Sequence, residues 1–205
     1  MNNVVGKYEL RYFYPTIPKR WLSIIGEIPF SPAHRQPVVS DEMYWICNKP
    51  TKFNIKIRDN KLDVKELVAT CKGLQQWIPL FKIDMGDIEN HKENIEKLYP
   101  FLEYSKDKGL AVTEGLLMPD SDFRYNWIDI KKIRWKFMVD VVEGEYAIIE
   151  TTNGVFHTVS FQHYEASKVL QIADSIGKGV AFNSSYIDFL SSFMQTKIID
   201  YGNRD

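Results

Sequence analysis

The sequence predicts an α+β fold in which a largely antiparallel sheet closes into a β-barrel with peripheral helices, residues 1–205 forming a single domain. Three observations predict it. Eight or nine short segments alternate apolar and polar residues at a period of two, against three or four helical stretches. Aromatic residues are frequent (12 Phe, 11 Tyr and 5 Trp) and favour strands. Several strands carry Lys or Arg at every second position: Lys7-Tyr8-Glu9-Leu10-Arg11, Lys56-Ile57-Arg58, Lys61-Leu62-Asp63-Val64-Lys65 and Arg134-Trp135-Lys136. Residues two apart share a strand face, so each segment is charged on one side and apolar on the other. In a closed barrel those charges either line a cationic tunnel or form a solvated surface, and alternation alone leaves both open.

The elements follow in order. A first strand spans about Val4–Tyr14 and ends at Pro15. Pro15, Pro18, Pro29, Pro32 and Pro37 then punctuate a loop around a short apolar helix with Trp21-Leu22 and Ile24-Ile25. Strands are expected at about Asp41–Asn48, Lys52–Arg58 and Lys61–Ala69, with Asp59-Asn60 as a two-residue hairpin turn. A further strand, Leu74–Ile83, contains Pro79 and is therefore bent or on an edge. Asp87 reads as the N-cap of a helix with Ile88, Ile95, Leu98, Tyr99 and Leu102 on its apolar stripe. Residues 105–127 are irregular, so about 84–127 reads as an insertion or lid. A meander follows at about Ile133–Val142, Glu145–Thr152 and Val155–Gln162, with turns at Glu143-Gly144 and Asn153-Gly154. Ala166, Val169, Leu170, Ala173 and Ile176 form one face of a helix ending at Gly177. Asn183-Ser184-Ser185 caps a last helix bearing Tyr186, Phe189, Leu190 and Phe193.

Composition narrows the function. A net charge of −1 gives no global field for nucleic acid or an anionic membrane, so any basic site is local and neither partner is expected. Cys47 and Cys71 fit no metal-ligand spacing and read as reduced, buried thiols. The N-terminal stretch MNNVVGKYEL lacks the apolar core of a secretion signal, and no apolar run reaches 18 residues. A cytoplasmic protein is expected.

The chemistry-bearing candidates are Arg11, Lys56, Arg58, Lys65, Arg134 and Lys136. Several cations, with Arg binding bidentately, suit a phosphate group. A charge run is more often a solvated face, and burying unpaired cations costs several kcal/mol each, so an inward cluster requires a ligand or partner carboxylates. Other signals are weaker. His157 and His163 share a strand face but stand about 20 Å apart, too far to hold one metal. Gly177-Lys178-Gly179 lacks the spacing of a phosphate-cradling loop. Trp77, Trp127 and Tyr125 could stack on a base, although aromatics more often belong to a core.

The order of elements resembles the CYTH-like family, also called triphosphate tunnel enzymes. The stretches that carry the resemblance are KYELRYF (7–13), KFNIKIRDNKLDVKEL (52–67), IRWKFMVDV (133–141), HTVSFQHYEASKVLQIADSIG (157–177) and NSSYIDFL (183–190). About 70–127 is unmatched. The resemblance implies a barrel whose basic residues grip a tri- or pyrophosphate and whose opening and closing glutamates hold Mg²⁺ or Mn²⁺. In this chain Glu9 matches the second opening glutamate, with Lys7 at the first and Arg11 at the lysine that follows. The closing pair falls on the neutral Ser160 and Gln162, while Glu150 matches an acidic position of the preceding strand. The implied metal ligands are therefore Glu9 and Glu150, a thin set for a hard divalent cation.

These readings give three functional expectations. The first is a barrel that binds a phosphorylated small anion (polyphosphate, nucleotide or pyrophosphate-containing) with weak or no catalysis. The second is a metal-dependent triphosphate hydrolase or nucleotidyl cyclase. The third is a non-enzymatic interaction module whose interior cations are neutralised by its own acids. Net positive charge inside would favour the first two. Fully paired charges and an exposed apolar patch would favour the third.

Overall fold

Eight strands hydrogen-bond in a ring. The computed structural model describes residues 6–19, 21, 36–47, 51–96, 125–176 and 182–199. In chain order the strands are β1 (Lys7–Tyr14), β2 (Val38–Cys47), β3 (Phe53–Arg58), β4 (Lys61–Cys71), β5 (Leu74–Asp84), β6 (Tyr125–Val139), β7 (Val142–Thr151) and β8 (Gly154–His163). They pair in the order β5-β4-β3-β2-β6-β7-β8-β1, and β1 pairs again with β5 to close the barrel. Every pairing is antiparallel. A two-residue β9 (Phe182–Asn183) also pairs with β1.

Turn chemistry sets most of the hairpins. Asp59 and Asn60 both take positive φ (52° and 56°), as a two-residue turn matching strand twist requires. Lys72 and Gly73 do the same between β4 and β5 (50° and 82°). Pro79 is absorbed by an irregularity at which Lys65 pairs with Pro79 while Val64 pairs with Phe81, so Leu80 faces no partner and lies exposed.

The turn expected at Glu143-Gly144 lies instead at Asp140-Val141, where Asp140 has φ 52°. Gly144 sits inside β7 opposite Phe137, and a Cβ there would come within 2.2 Å of the Phe137 ring. The glycine thus serves a close ring approach rather than a bend. Gly144→Ala is expected to cost about 1–3 kcal/mol through overpacking. Urea unfolding of the double variant with Phe137→Leu checks the cause, since the alanine penalty should shrink when the ring is gone.

Outside the ring, two apolar clusters carry the helices. Leu10, Tyr12, Tyr14, Tyr146, Val159 and Phe161 pack beneath α2 (Ala166–Ile176) through Val169, Ile172 and Ala173, with Trp21 beside them. Trp45, Phe53, Ile55, Leu62 and Val64 pack with Ile88 and Ile95. Ile88 lies in a 3-10 helix (Met85–His91) and Ile95 in α1 (Lys92–Glu96). The cap of this segment is Asp84, which accepts from the Gly86 amide at 3.0 Å, not Asp87, whose carboxylate accepts from Asn90. The rest of the expected helix, Leu98 to Leu102, lies outside the described residues, as do most of the suggested lid and of the proline-punctuated loop. Cys47 is buried as expected, whereas Cys71 is exposed at its hairpin tip.

Candidate functional site

Closure decides which way each strand face points. Along β1 the inward row runs Lys7, Glu9, Arg11, Phe13; along β7, Glu143, Glu145, Ala147, Ile149; along β2, Ser40, Glu42, Tyr44, Ile46. The antiparallel neighbours run the other way: Ile128, Ile130, Lys132, Arg134, Lys136 on β6 and Phe156, Thr158, Ser160, Gln162 on β8. Every row therefore goes from polar to apolar toward the same end of the barrel. At the apolar end Phe13, Ile46, Ile130 and Ile149 meet Tyr186, Ile187, Phe189 and Leu190 of α3 (Tyr186–Ile199). Ser185 caps that helix, its Oγ accepting from the Asp188 amide (3.0 Å) and donating to Asp188 Oδ2 (2.8 Å). The lumen is thus packed with apolar side chains at one end and polar at the other.

At the polar end lies a cavity of about 250 Å³. All six basic candidates, Arg11, Lys56, Arg58, Lys65, Arg134 and Lys136, line it together with Lys132. Three carboxylates, Glu9, Asp63 and Glu145, also line it, and a fourth, Glu42, is buried against its cations. Among the described residues, seven positive charges face four negative ones. Ile55 and Ile57, alternating with Lys56 and Arg58, pack outward against the cluster holding Ile88 and Ile95, as alternation requires.

Glu42 organises one wall. Its Oε1 accepts from Ser40 Oγ (3.1 Å) and Arg58 Nη1 (3.4 Å), and lies 3.8 Å from Arg134 Nη1. Its Oε2 accepts from Tyr44 OH (2.9 Å) and Lys56 Nζ (3.2 Å). Burial opposes its charge, but Lys56, Lys132, the Tyr44 hydroxyl and Arg58 outweigh burial and lower its pKa to about 2. Arg11 organises the opposite wall. Its Nε donates to Glu9 Oε1 (2.8 Å), its Nη1 to Thr158 Oγ1 (2.8 Å), and both terminal nitrogens to Glu145 Oε1 (3.3 Å each). Lys132 Nζ reaches the same Glu145 oxygen at 2.9 Å. The Tyr186 ring lies under both cations, 4.6 Å from the Arg11 guanidinium carbon and 4.7 Å from Lys132 Nζ. Burial raises the pKa of Glu9 and Glu145, yet the cations (Arg11 above all for Glu9, Lys132 and Arg11 for Glu145) hold both below the usual carboxylate range.

Lys65 and Lys136 make no ion pair within the described residues, and the Nε of Arg134 and Oδ1 of Asn54 are buried there without a hydrogen-bond partner. Burial, with Lys132 and Arg58 nearby, lowers the pKa of Lys56 from 10.5 to about 8 despite Glu42. Between pH 8 and 10.5 the unfolded chain holds this proton and the folded one does not, so the Lys56 contribution to stability rises across that window. A bound polyanion should reverse the shift. Titrating tripolyphosphate at pH 8.5 in two buffers of different ionisation enthalpy is expected to show proton uptake, which Lys56→Met abolishes.

Two inward groups, Lys132 and Glu42, escaped sequence reasoning, and Glu145 entered it only as one of the acids, with Asp63, Asp140 and Glu143, that could neutralise interior cations. Lys132 continues the alternation Lys132-Ile133-Arg134-Trp135-Lys136, hidden because the strand was started at Ile133. Glu42 is the cross-strand partner of Arg58 and Glu145 that of Lys136. Glu150 lies at an odd separation from Glu145, exposed on the outer face, so it does not converge with Glu9. Ser160 and Gln162 line the cavity, Gln162 donating to Glu143 Oε2 at 2.8 Å.

A divalent cation needs several oxygens with free lone pairs. Glu9 and Glu145 are both engaged by Arg11, Ser160 and Gln162 are neutral, and Glu150 is on the other face. No group of three or more His, Cys, Asp or Glu among the described residues is placed to hold a metal. These residues do not fit the Mg²⁺ or Mn²⁺ that the family resemblance implies. None of the described helices is long and apolar enough to cross a membrane.

No known protein family and no curated protein matches the chain in sequence. Solved structures with a similar chain course include a candidate adenylyl cyclase from Hippeastrum described as having a dominant triphosphatase activity. It shares 14% identity over 82% of this chain and 85% of its own, at a TM-score of 0.46. A conserved hypothetical protein from Pyrococcus furiosus shares 14% over 88% of this chain and 98% of its own (TM-score 0.45). The PH1012 protein from Pyrococcus horikoshii shares 12% over 88% and 98% (TM-score 0.47). At such identities and TM-scores these likenesses carry no argument about chemistry.

Proposed function

We propose that the chain is a divergent CYTH-like barrel that binds a phosphorylated small anion in the polar end of its lumen, with weak or no catalysis. The observation that carries this reading is the uneven charge of the cavity: among the described residues, seven cations against four carboxylates, with Lys65 and Lys136 unpaired and Arg134 Nε buried without an acceptor. Lys65 is half-buried and Lys136 exposed where they line the cavity; cations converging on one site repel one another, and a compact polyanion supplies both the opposite charge and the acceptors. An interaction module that neutralised its own interior would leave no such excess.

The carboxylates support binding over turnover. Glu9, Glu42 and Glu145 are held ionised by neighbouring cations, which makes them weak bases at neutral pH. A metal-dependent triphosphatase or cyclase would need a divalent ion that this donor set does not fit. Residues Arg11, Lys56, Arg58, Lys65, Arg134 and Lys136 are assigned to the anion, with Lys132 added.

A thermal-shift series with tripolyphosphate, pyrophosphate and ATP, each with and without Mg²⁺ or Mn²⁺, tests the reading. A ligand selective for the native state raises the melting temperature with concentration. No shift with any of them at millimolar concentration would reject it. Arg58→Ala is expected to weaken tripolyphosphate binding by about 1.5–3 kcal/mol, the range of a charge-assisted hydrogen bond. Free phosphate released on incubation would show that catalysis persists.

A further inference from the structure

The carboxylates that could offer a divalent ion a place in this cavity are Glu9 on β1 and Glu145 on β7, inward on either side of β8 and joined by Arg11. That place is taken. The Arg11 guanidinium donates to Glu9 Oε1, Glu145 Oε1 and Thr158 Oγ1, lies 3.5 Å from Tyr186 OH, and rests on the Tyr186 ring. The side chain is only 7% exposed, and partners surround it on several sides. Lys132 adds a second positive charge 2.9 Å from the same Glu145 oxygen. A metal entering here would have to displace a tethered cation and withstand repulsion from another.

We infer that Arg11 is the resident cation of this lumen, standing between Glu9 and Glu145 in place of a divalent metal, so that the phosphorylated anion is bound free of metal. This rests on the reading of the cavity as a phosphate-anion site, and deepens it: the species recognised is the bare polyanion rather than its metal complex. The two acids that would otherwise repel a polyphosphate are neutralised by a charge the protein cannot release. Arg11 remains protonated throughout the physiological range; burial disfavours its charge, but Glu9, Tyr186 and Glu145 more than compensate. Removing it should expose the latent carboxylate pair.

Calorimetry separates the outcomes. Wild-type protein should bind tripolyphosphate in EDTA at least as tightly as in excess Mg²⁺ or Mn²⁺, and bind Mn²⁺ alone more weakly than about millimolar. Arg11→Gln should gain roughly tenfold or more in Mn²⁺ affinity, read by electron paramagnetic resonance without phosphate, because two carboxylates lose their tethered partner. Wild-type binding that requires metal would overturn the inference and leave the anion-binding reading intact. Absence of binding with and without metal would overturn that reading as well. An Arg11→Gln protein that folds, by its circular dichroism, yet gains no Mn²⁺ affinity would refute the latent site. If that variant does not fold, the comparison of EDTA with metal on the wild type still decides.

Discussion

Glu42→Gln is expected to lower the free energy of unfolding by about 3–5 kcal/mol, the range for removing one partner of a buried ion pair. The side chain has no exposed surface and serves Lys56, Arg58 and Arg134 at once, so neutralising it leaves three inward cations facing one another. Urea unfolding at pH 7 measures the loss; a change below about 1 kcal/mol would mean that water already screens these cations. Acid acts in the same direction. With its pKa moved from 4.5 to about 2, the contribution of Glu42 is complete above pH 4.5 and is lost as pH falls through about 2. Tripolyphosphate should stabilise the variant more than the wild type, because the anion then supplies the missing negative charge.

Phe189→Ala is expected to cost a similar 3–5 kcal/mol for a different reason. Its ring stacks on Phe13 at 4.0 Å and 9°, and meets Phe156 and Phe193 edge-on at 5.1 and 4.9 Å. Truncation leaves a void among Phe13, Phe156 and Phe193 in the apolar end of the lumen. Chemical denaturation reads the cost, and tripolyphosphate affinity measured below the transition should change little, since the cation wall lies at the other end. A parallel fall in both would show that the two halves of the lumen are not independent.

The barrel was legible because a period of two is a strong signal and the turn residues agree with it. Asp59-Asn60 adopts the left-handed pair its composition favours, and the face shared by Lys56 and Arg58 did turn inward. What the sequence concealed was register. Glu42 becomes the partner of Arg58 only once β2 and β3 are aligned, and no local pattern reveals that. Gly144 resembled a turn because glycine usually signals one; the competing cause was the Phe137 ring above it, a tertiary contact. The turn lies three residues earlier than that glycine suggests, and the resemblance points to Glu150 on the outer face rather than to Glu145 on the inner one. A shift of an odd number of residues puts a side chain on the opposite face. The polar-to-apolar gradient was present in each strand, but direction inside a barrel has no meaning until the strands are antiparallel neighbours.

Strand β1 bears a consequence for biosynthesis. It is the first stave made and the last to be enclosed: its partners Val159, Ser160 and Phe161 follow it by some 150 residues, whereas its pairing with β5 covers only Lys7, Glu9 and the tyrosine between them. At ribosomal rates of about 5–20 residues per second, roughly 8–30 seconds separate its emergence from that of β8. During that interval a tyrosine-rich strand has one edge without its native partner, and an unpaired edge is a template for another chain. Contacts so distant in sequence also slow the closing step itself. Yield during expression should therefore depend on what shields β1 on the ribosome, and transplanting that strand to follow β8 directly would shorten the wait to the time of a single hairpin.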